Sequence, residues 1–161
     1  MTALFNLSMK QNICFVGFGE AGEALSGGFV SQDPLAWDLK LETDEPTCRD
    51  RITRARFIPA SSLTDALTDV DWVVSLVTAD QAAQACQAVC ETVKSRFMYL
   101  EMNSCSPGTK RANAEMVTDA GGELVDVAIM SPVNPSRIET PLLVSGPSAE
   151  RCVKFLDYFG Y

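Results

Sequence analysis

Short apolar runs alternate with amphipathic stretches along the whole chain. Asn12-Ile-Cys-Phe-Val16 is an apolar strand, and Glu23-Ala-Leu-Ser-Gly-Gly-Phe-Val30 behind it reads as a helix. Leu35-Ala-Trp-Asp38 is a second short strand. Lys40 to Arg56 is polar and charge-rich and reads as a loop with one short helical turn. Phe57-Ile58 is a very short strand, and Ser61 to Leu67 opens on hydroxyl caps and is helical. Asp71-Trp-Val-Val-Ser-Leu-Val77 is a buried strand by its β-branched run. Ala79 to Val93 follows as a helix and Phe97-Met-Tyr-Leu100 as a strand. Ser106-Pro107 starts another helix with proline in its first turn, and Gly121-Gly122 ends it. Glu123 to Ile129 and Leu142 to Ser145 are strands, and a last helix runs from Pro147 to Phe159. Strand–helix alternation with short connections predicts a doubly wound, mostly parallel α/β sheet with helices on both faces.

The first strand runs straight into Gly17-Phe-Gly19-Glu-Ala-Gly22. Strand, glycine-spaced turn and helix in succession are the setting of the dinucleotide fingerprint G-x-G-x-x-G. Gly17 permits the tight turn, Gly19 lets the backbone approach a pyrophosphate, and Gly22 lets the helix pack close on the strand. The helix start offers unpaired N–H groups and a positive dipole end to phosphates. Glycine triplets also occur as plain strand-to-helix turns, so context decides. The test is an acid about 20 positions on, at the end of the next strand. Asp38 stands there. Its carboxylate can accept from both adenosine ribose hydroxyls and repels a 2′-phosphate, which favours NAD. The nearby Lys40 softens that preference and keeps NADP open. A solvated strand-end carboxylate is the alternative for Asp38. In such a Rossmann sheet the ligand sits at the carboxyl ends of the strands near the switch point, where Thr78 and Asn103-Ser104 converge on the fingerprint.

The length of 161 residues is that of one ordinary domain, and 47% hydrophobic with 21% charged residues is a globular composition. A net charge of −8 argues against nucleic acid as partner, but not against a dinucleotide, whose pyrophosphate is held by local N–H groups. No apolar run approaches a membrane span, and Met1 to Gln11 has no basic start or cleavage site. A cytoplasmic protein with reduced thiols is the expectation. The six cysteines form no C-x-x-C pair, and Cys86 and Cys90 share a helix face suited to packing. The chain has no histidine, which excludes mixed Cys/His zinc sites and removes the commonest general base. No metal is expected.

Later motifs sharpen the picture. The strand at Phe97 runs into Glu101-Met-Asn-Ser-Cys-Ser-Pro107, the next reads Asp126-Val-Ala-Ile-Met-Ser-Pro132, and a late strand ends at Gly146 before an acidic helix. With Gly17 to Gly22 these resemble the NAD(P)-binding domain of the β-hydroxyacid dehydrogenases, the family of 3-hydroxyisobutyrate and 6-phosphogluconate dehydrogenases. Their corresponding motifs are G-x-G-x-M-G, D-x-S-T-x-x-P and D-A-P-V-S-G-G. The resemblance covers nearly the whole chain. It implies that Phe18, Gly19, Glu20, Ala21 and Gly22 cradle the pyrophosphate, and that Asp38 and Lys40 face the adenine ribose. It implies Leu76, Val77 and Thr78 at the nicotinamide ribose, and Asn103 and Ser104 beside the nicotinamide and a substrate carboxylate. A helix-capping or turn role is the equal alternative for Asn103.

The S-G-G anchor of the family is replaced by Met130-Ser131-Pro132, where Ser131 supplies a hydroxyl and Pro132 removes a backbone donor. Arg137 reads either as a carboxylate or phosphate clamp or as a solvated surface residue. The family's assisting lysine belongs to a second, helical domain, and this sequence stops at Tyr161. Lys94, Lys110 and Lys154 fall on predicted surface helices and do not match it. Residues 1–161 are therefore expected to be the cofactor domain alone, binding NAD without turnover, with homodimerisation mainly through the helical domain. The implied substrate is a small hydroxy or keto acid. Two alternatives stand: a dinucleotide-sensing or interaction module without catalysis, and the cofactor domain of an imine reductase.

Overall fold

β1 (Ile13–Val16) is buried along its whole length, because it lies at the middle of a sheet covered on both faces. The computed structural model describes residues 10–43 and 46–161. Most of the Met1 to Gln11 segment, and Asp44-Glu45 of the charge-rich stretch, lie outside these residues.

Among the described residues the sheet has seven strands in the order β3-β2-β1-β4-β5-β6-β7. Outward from β1 lie β2 (Leu35–Trp37) and then β3 (Ile58–Pro59) on one side, and β4 (Trp72–Ser75), β5 (Met98–Glu101) and β6 (Glu123–Ile129) on the other. All of these run parallel, and β7 (Leu142–Ser145) closes the edge antiparallel to β6. The expected doubly wound, mostly parallel α/β architecture is the one found. The strand order reverses between β1 and β4, which places the switch point directly beside the fingerprint turn.

Alternation along the strands builds two apolar layers. Phe15, Trp72, Val74, Met98 and Leu100 face one side, with Phe29 and Phe155 packed over them. Cys14, Val16, Val73 and Tyr99 face the other, covered by Leu67 just after α3 (Leu63–Ala66), by Val89 of α4 (Ala82–Thr92) and by Val117. The Phe155 and Trp72 rings stack with centroids 3.7 Å apart, which seats the last helix, α6 (Ala149–Tyr158), on the first layer. Burial pushes the thiols of Cys14 and Cys152 up to about 12, so both are inert packing groups.

Two stretches differ from expectation. The helix after the fingerprint, α1 (Glu20–Ala24), is only one turn long, and a 3-10 turn at Gly27–Gln32 replaces its second half. Ser26 Oγ bonds back to the Glu23 carbonyl at 2.8 Å, and two glycines follow, so the α-helical ladder is not continued. The polar stretch expected as a loop with one short helical turn carries a 3-10 turn at Leu39–Leu41 and a longer helix, α2 (Pro46–Arg54). Pro46 starts that helix, and Cys48 and Ile52, one turn apart, are buried in the first layer. The charges around them had hidden this narrow apolar stripe.

The ring stack makes a direct stability test. Phe155→Ala should lower the unfolding free energy by about 3–5 kcal/mol in urea denaturation; a loss below ~1 kcal/mol would show that α6 is not seated by this contact.

Candidate functional site

Because the first six strands are parallel, the segments leaving them emerge at one sheet edge. The exits of β1 (Gly17 to Gly22), β2 (Asp38), β4 (Leu76 to Thr78), β5 (Asn103-Ser104) and β6 (Met130 to Pro132) therefore share that edge. The residues that the sequence marked for a site lie on these exits, with Lys40 two residues beyond Asp38 and Arg137 in the loop behind the β6 exit.

At the turn, Gly17 has φ +87°, and a Cβ there would come within 2.5 Å of the Leu76 carbonyl oxygen. Any side chain would push the exits of β1 and β4 apart. Gly19 is the opposite case: a Cβ on it would meet nothing within 4 Å. That open space lies at the start of α1, whose first N–H groups have no intrahelical acceptors. The residues present thus fit a pyrophosphate, which needs a bare backbone and free donors. A five-residue helix has little macrodipole, so the local N–H groups supply the attraction. Gly22 lets α1 sit close to the turn, its Cβ position lying 3.3 Å from the Gly17 carbonyl oxygen.

Asp38 stands at the end of β2 and binds the turn itself. Its Oδ2 accepts from the Phe18 N–H at 2.9 Å and its Oδ1 from the Lys40 N–H at 3.0 Å. The carboxylate is partly exposed, with lone pairs left for a ribose hydroxyl. The Lys40 side chain is exposed beside it. Phe18 itself points inward, with its ring against Phe15 and Phe57, so only its backbone belongs to the turn.

On the other side of the switch point, Leu76 is buried, Val77 half-buried and Thr78 exposed. Ser104 is exposed at the exit of β5, whereas Asn103 is buried. All the polar atoms of the Asn103 amide are turned into the protein. Oδ1 accepts from the Val77 N–H at 2.7 Å, and Nδ2 donates to Ser75 Oγ at 2.9 Å and to the Glu101 carboxyl. Sequence reasoning gave Glu101 no role. Its signal was a carboxyl at the end of the apolar run Met98-Tyr-Leu-Glu101, which burial on both faces turns into a fully enclosed group.

Ser131 is half-buried at the exit of β6. The loop behind it docks on α1: Asn134 Nδ2 donates to Glu20 Oε1 at 2.8 Å, and Arg137 donates to the Glu23 carbonyl at 3.0 Å. Arg137 is thereby a tie between loop and helix rather than a loose surface cation. Lys110 also departs from the surface position expected. It lies in the first turns of α5 (Pro107–Asp119), half-buried and ion-paired with Asp126. Among the described residues no cluster of side chains could hold a metal, and no helix is long and apolar enough to cross a membrane.

A family profile described as the NAD binding domain of 6-phosphogluconate dehydrogenase matches residues 12–157. This chain belongs to that NAD-binding family. The 6-phosphogluconate dehydrogenase-type domain covers all seven strands and nearly all of α6, so the motifs and the architecture agree. Among solved structures, a conserved hypothetical protein from Sinorhizobium meliloti 1021 is 26% identical, with a TM-score of 0.83 over 98% of this chain and 54% of that one. A Mycobacterium tuberculosis 3-hydroxyisobutyrate dehydrogenase solved with L-serine is 17% identical, with a TM-score of 0.81 over 94% and 52%. A variant imine reductase from Myxococcus stipitatus in complex with NAD+ is 22% identical, with a TM-score of 0.77 over 94% and 53%. At those identities the last two show the shared fold. The chain spans about half the length of these solved structures. No curated protein matches it.

The two glycines separate packing from binding. Gly19→Ala should leave stability within about 0.5 kcal/mol of wild type while weakening NAD at least about tenfold in calorimetric titration. Gly17→Ala should destabilise the fold by about 1–3 kcal/mol or more, through strain at positive φ and the clash with Leu76. Equal stability losses in the two variants would contradict this division.

Proposed function

We propose that this chain holds NAD at the β1–β4 switch point for hydride transfer to or from a small hydroxy or keto acid. The observation that carries the proposal is the fingerprint turn, with open space over Gly19 and the carboxylate of Asp38 bonded to the Phe18 N–H. Gly17 sets the turn, and the N–H groups of Gly19, Glu20, Ala21 and Gly22 hold the pyrophosphate. Asp38 accepts from the adenine ribose and disfavours a 2′-phosphate, which Lys40 partly offsets. The backbone of Leu76, Val77 and Thr78 borders the nicotinamide ribose. Ser104 and Ser131 present hydroxyls toward the substrate side, with Asn103 behind them.

When bound, the nicotinamide supplies the hydride chemistry; the residues of this chain position it and shape the charge around it. A second group must move the proton on the substrate oxygen. Histidine is absent from the sequence, and Lys110 is engaged with Asp126. On the resemblance to the β-hydroxyacid dehydrogenases, we assign that proton transfer to a lysine of a helical domain outside residues 1–161. The 161-residue chain on its own then binds cofactor without turnover.

Calorimetry with NAD and NADP tests the reading. NAD should bind in the micromolar range or more weakly, with NADP weaker still, and no hydroxy acid should be oxidised by the chain alone. No NAD binding at millimolar concentration would sink the proposal. Restoring catalysis with the remainder of a longer enzyme, and then comparing hydroxy acids with cyclic imines, separates the dehydrogenase from an imine reductase.

A further inference from the structure

The exits of β4 and β5 are joined by a buried polar cluster that reaches the proposed site at the Val77 N–H. Glu101 is fully buried at the end of β5. Its Oε1 accepts from the Asn103 backbone N–H at 3.2 Å and from the Asn103 amide, and its Oε2 accepts from Asn113 Nδ2 on α5 at 2.8 Å. Asn113 is fully buried as well. Lys110, on the same helix as Asn113, is paired with Asp126, and the donors to the Glu101 carboxyl are amide N–H groups. Such a group costs heavily to bury unless every lone pair facing inward has a donor. Each carboxyl oxygen has a donor, and two of the three donors come from Asn103, which is thereby held in one orientation. Its Oδ1 then points at the Val77 N–H, 2.7 Å away.

We infer that Glu101 and Asn103 are positioning residues that set the β4 exit at Val77, and with it the nicotinamide end of the cofactor site, without touching cofactor or substrate. The inference rests on the proposed placement of the nicotinamide ribose at Leu76 to Thr78. It assigns Asn103 a role different from the one the family resemblance implied, because its oxygen and its amide nitrogen are already engaged with protein groups. The adenosine half of the site, at Gly17 to Gly22 and Asp38, lies across the switch point and shares no hydrogen bond with this cluster among those described.

The split between the two halves provides the test. NAD and ADP are titrated into wild type, Asn103→Ala and Glu101→Gln, and amide exchange of Val77 is followed by NMR. ADP carries the adenosine half alone, so its binding reports that the variant is folded and its turn intact. Glu101→Gln keeps the shape of the side chain and serves if Asn103→Ala does not fold. Each variant should bind NAD about tenfold more weakly, the size expected for losing one strong buried hydrogen bond. ADP should be unchanged within about twofold, and Val77 exchange should be faster. Parallel losses of NAD and ADP would overturn the inference by showing a merely structural role. Unchanged NAD affinity with fast Val77 exchange would overturn it by showing that the β4 exit does not set the site. Wild type binding ADP but not NAD would remove the nicotinamide placement and this inference with it. Wild type binding neither would refute the cofactor reading itself.

Discussion

The narrow gap between the exits of β1 and β4 is the constraint on which the rest of the site depends. At Gly17 the backbone passes so close to the Leu76 carbonyl that no side chain fits between them. That close approach lies at the point where the strand order reverses, which is where sheets of this kind take their ligands. Two further bonds stitch the same place: the Gly17 N–H reaches the Trp37 carbonyl and the Leu76 N–H reaches the Val16 carbonyl, both at 2.9 Å. Asp38 adds the Phe18 N–H. A single turn is thus held by β2 and β4 at once, which leaves its outer surface free to meet a ligand.

Behind this edge, apolar and polar burial divide the work. The two hydrophobic layers hold the strands in register without specifying how their exits are oriented. The orientation comes from directional groups: Asp38 on one side of the switch point, the Glu101–Asn103 pair on the other, and Asn134 with Arg137 tying the loop after β6 onto α1. Hydrogen bonds are suited to this because their geometry is narrow, whereas apolar contact tolerates rotation and sliding. The outer strand is less enclosed: Leu143 and Met130 are each 58% exposed on the β6–β7 side.

Much of this was legible in the residues. The fingerprint, its strand and Asp38 are a local pattern whose spacing carries the chemistry, and β6 matches its expected bounds of Glu123 to Ile129 because alternation and flanking turns agree there. The Ser106 cap and Pro107 placed the start of α5 correctly. The early end of α1 and the full length of α2 were not legible, since both turn on weak local preferences decided by neighbours. Pro46-Thr-Cys-Arg-Asp-Arg-Ile-Thr-Arg54 looks like a solvated loop until Cys48 and Ile52 are seen to have a sheet to pack on. Glu101 and Asn103 are adjacent in a motif, yet nothing in their spacing says that both face inward.

The sequence alone determined the fold class, the turn and its neighbour Asp38, because these depend on periodicity, on backbone freedom at glycine and on one charge at a set distance along the chain. It also determined that neither histidine nor a Cys/His metal site could contribute. Tertiary structure decided which polar groups look into the crevice and which look into the core. Burial is a property of surroundings brought together from distant strands, and a carboxyl such as Glu101 acquires its partners, Asn103 and Asn113, only when β5 and α5 have packed.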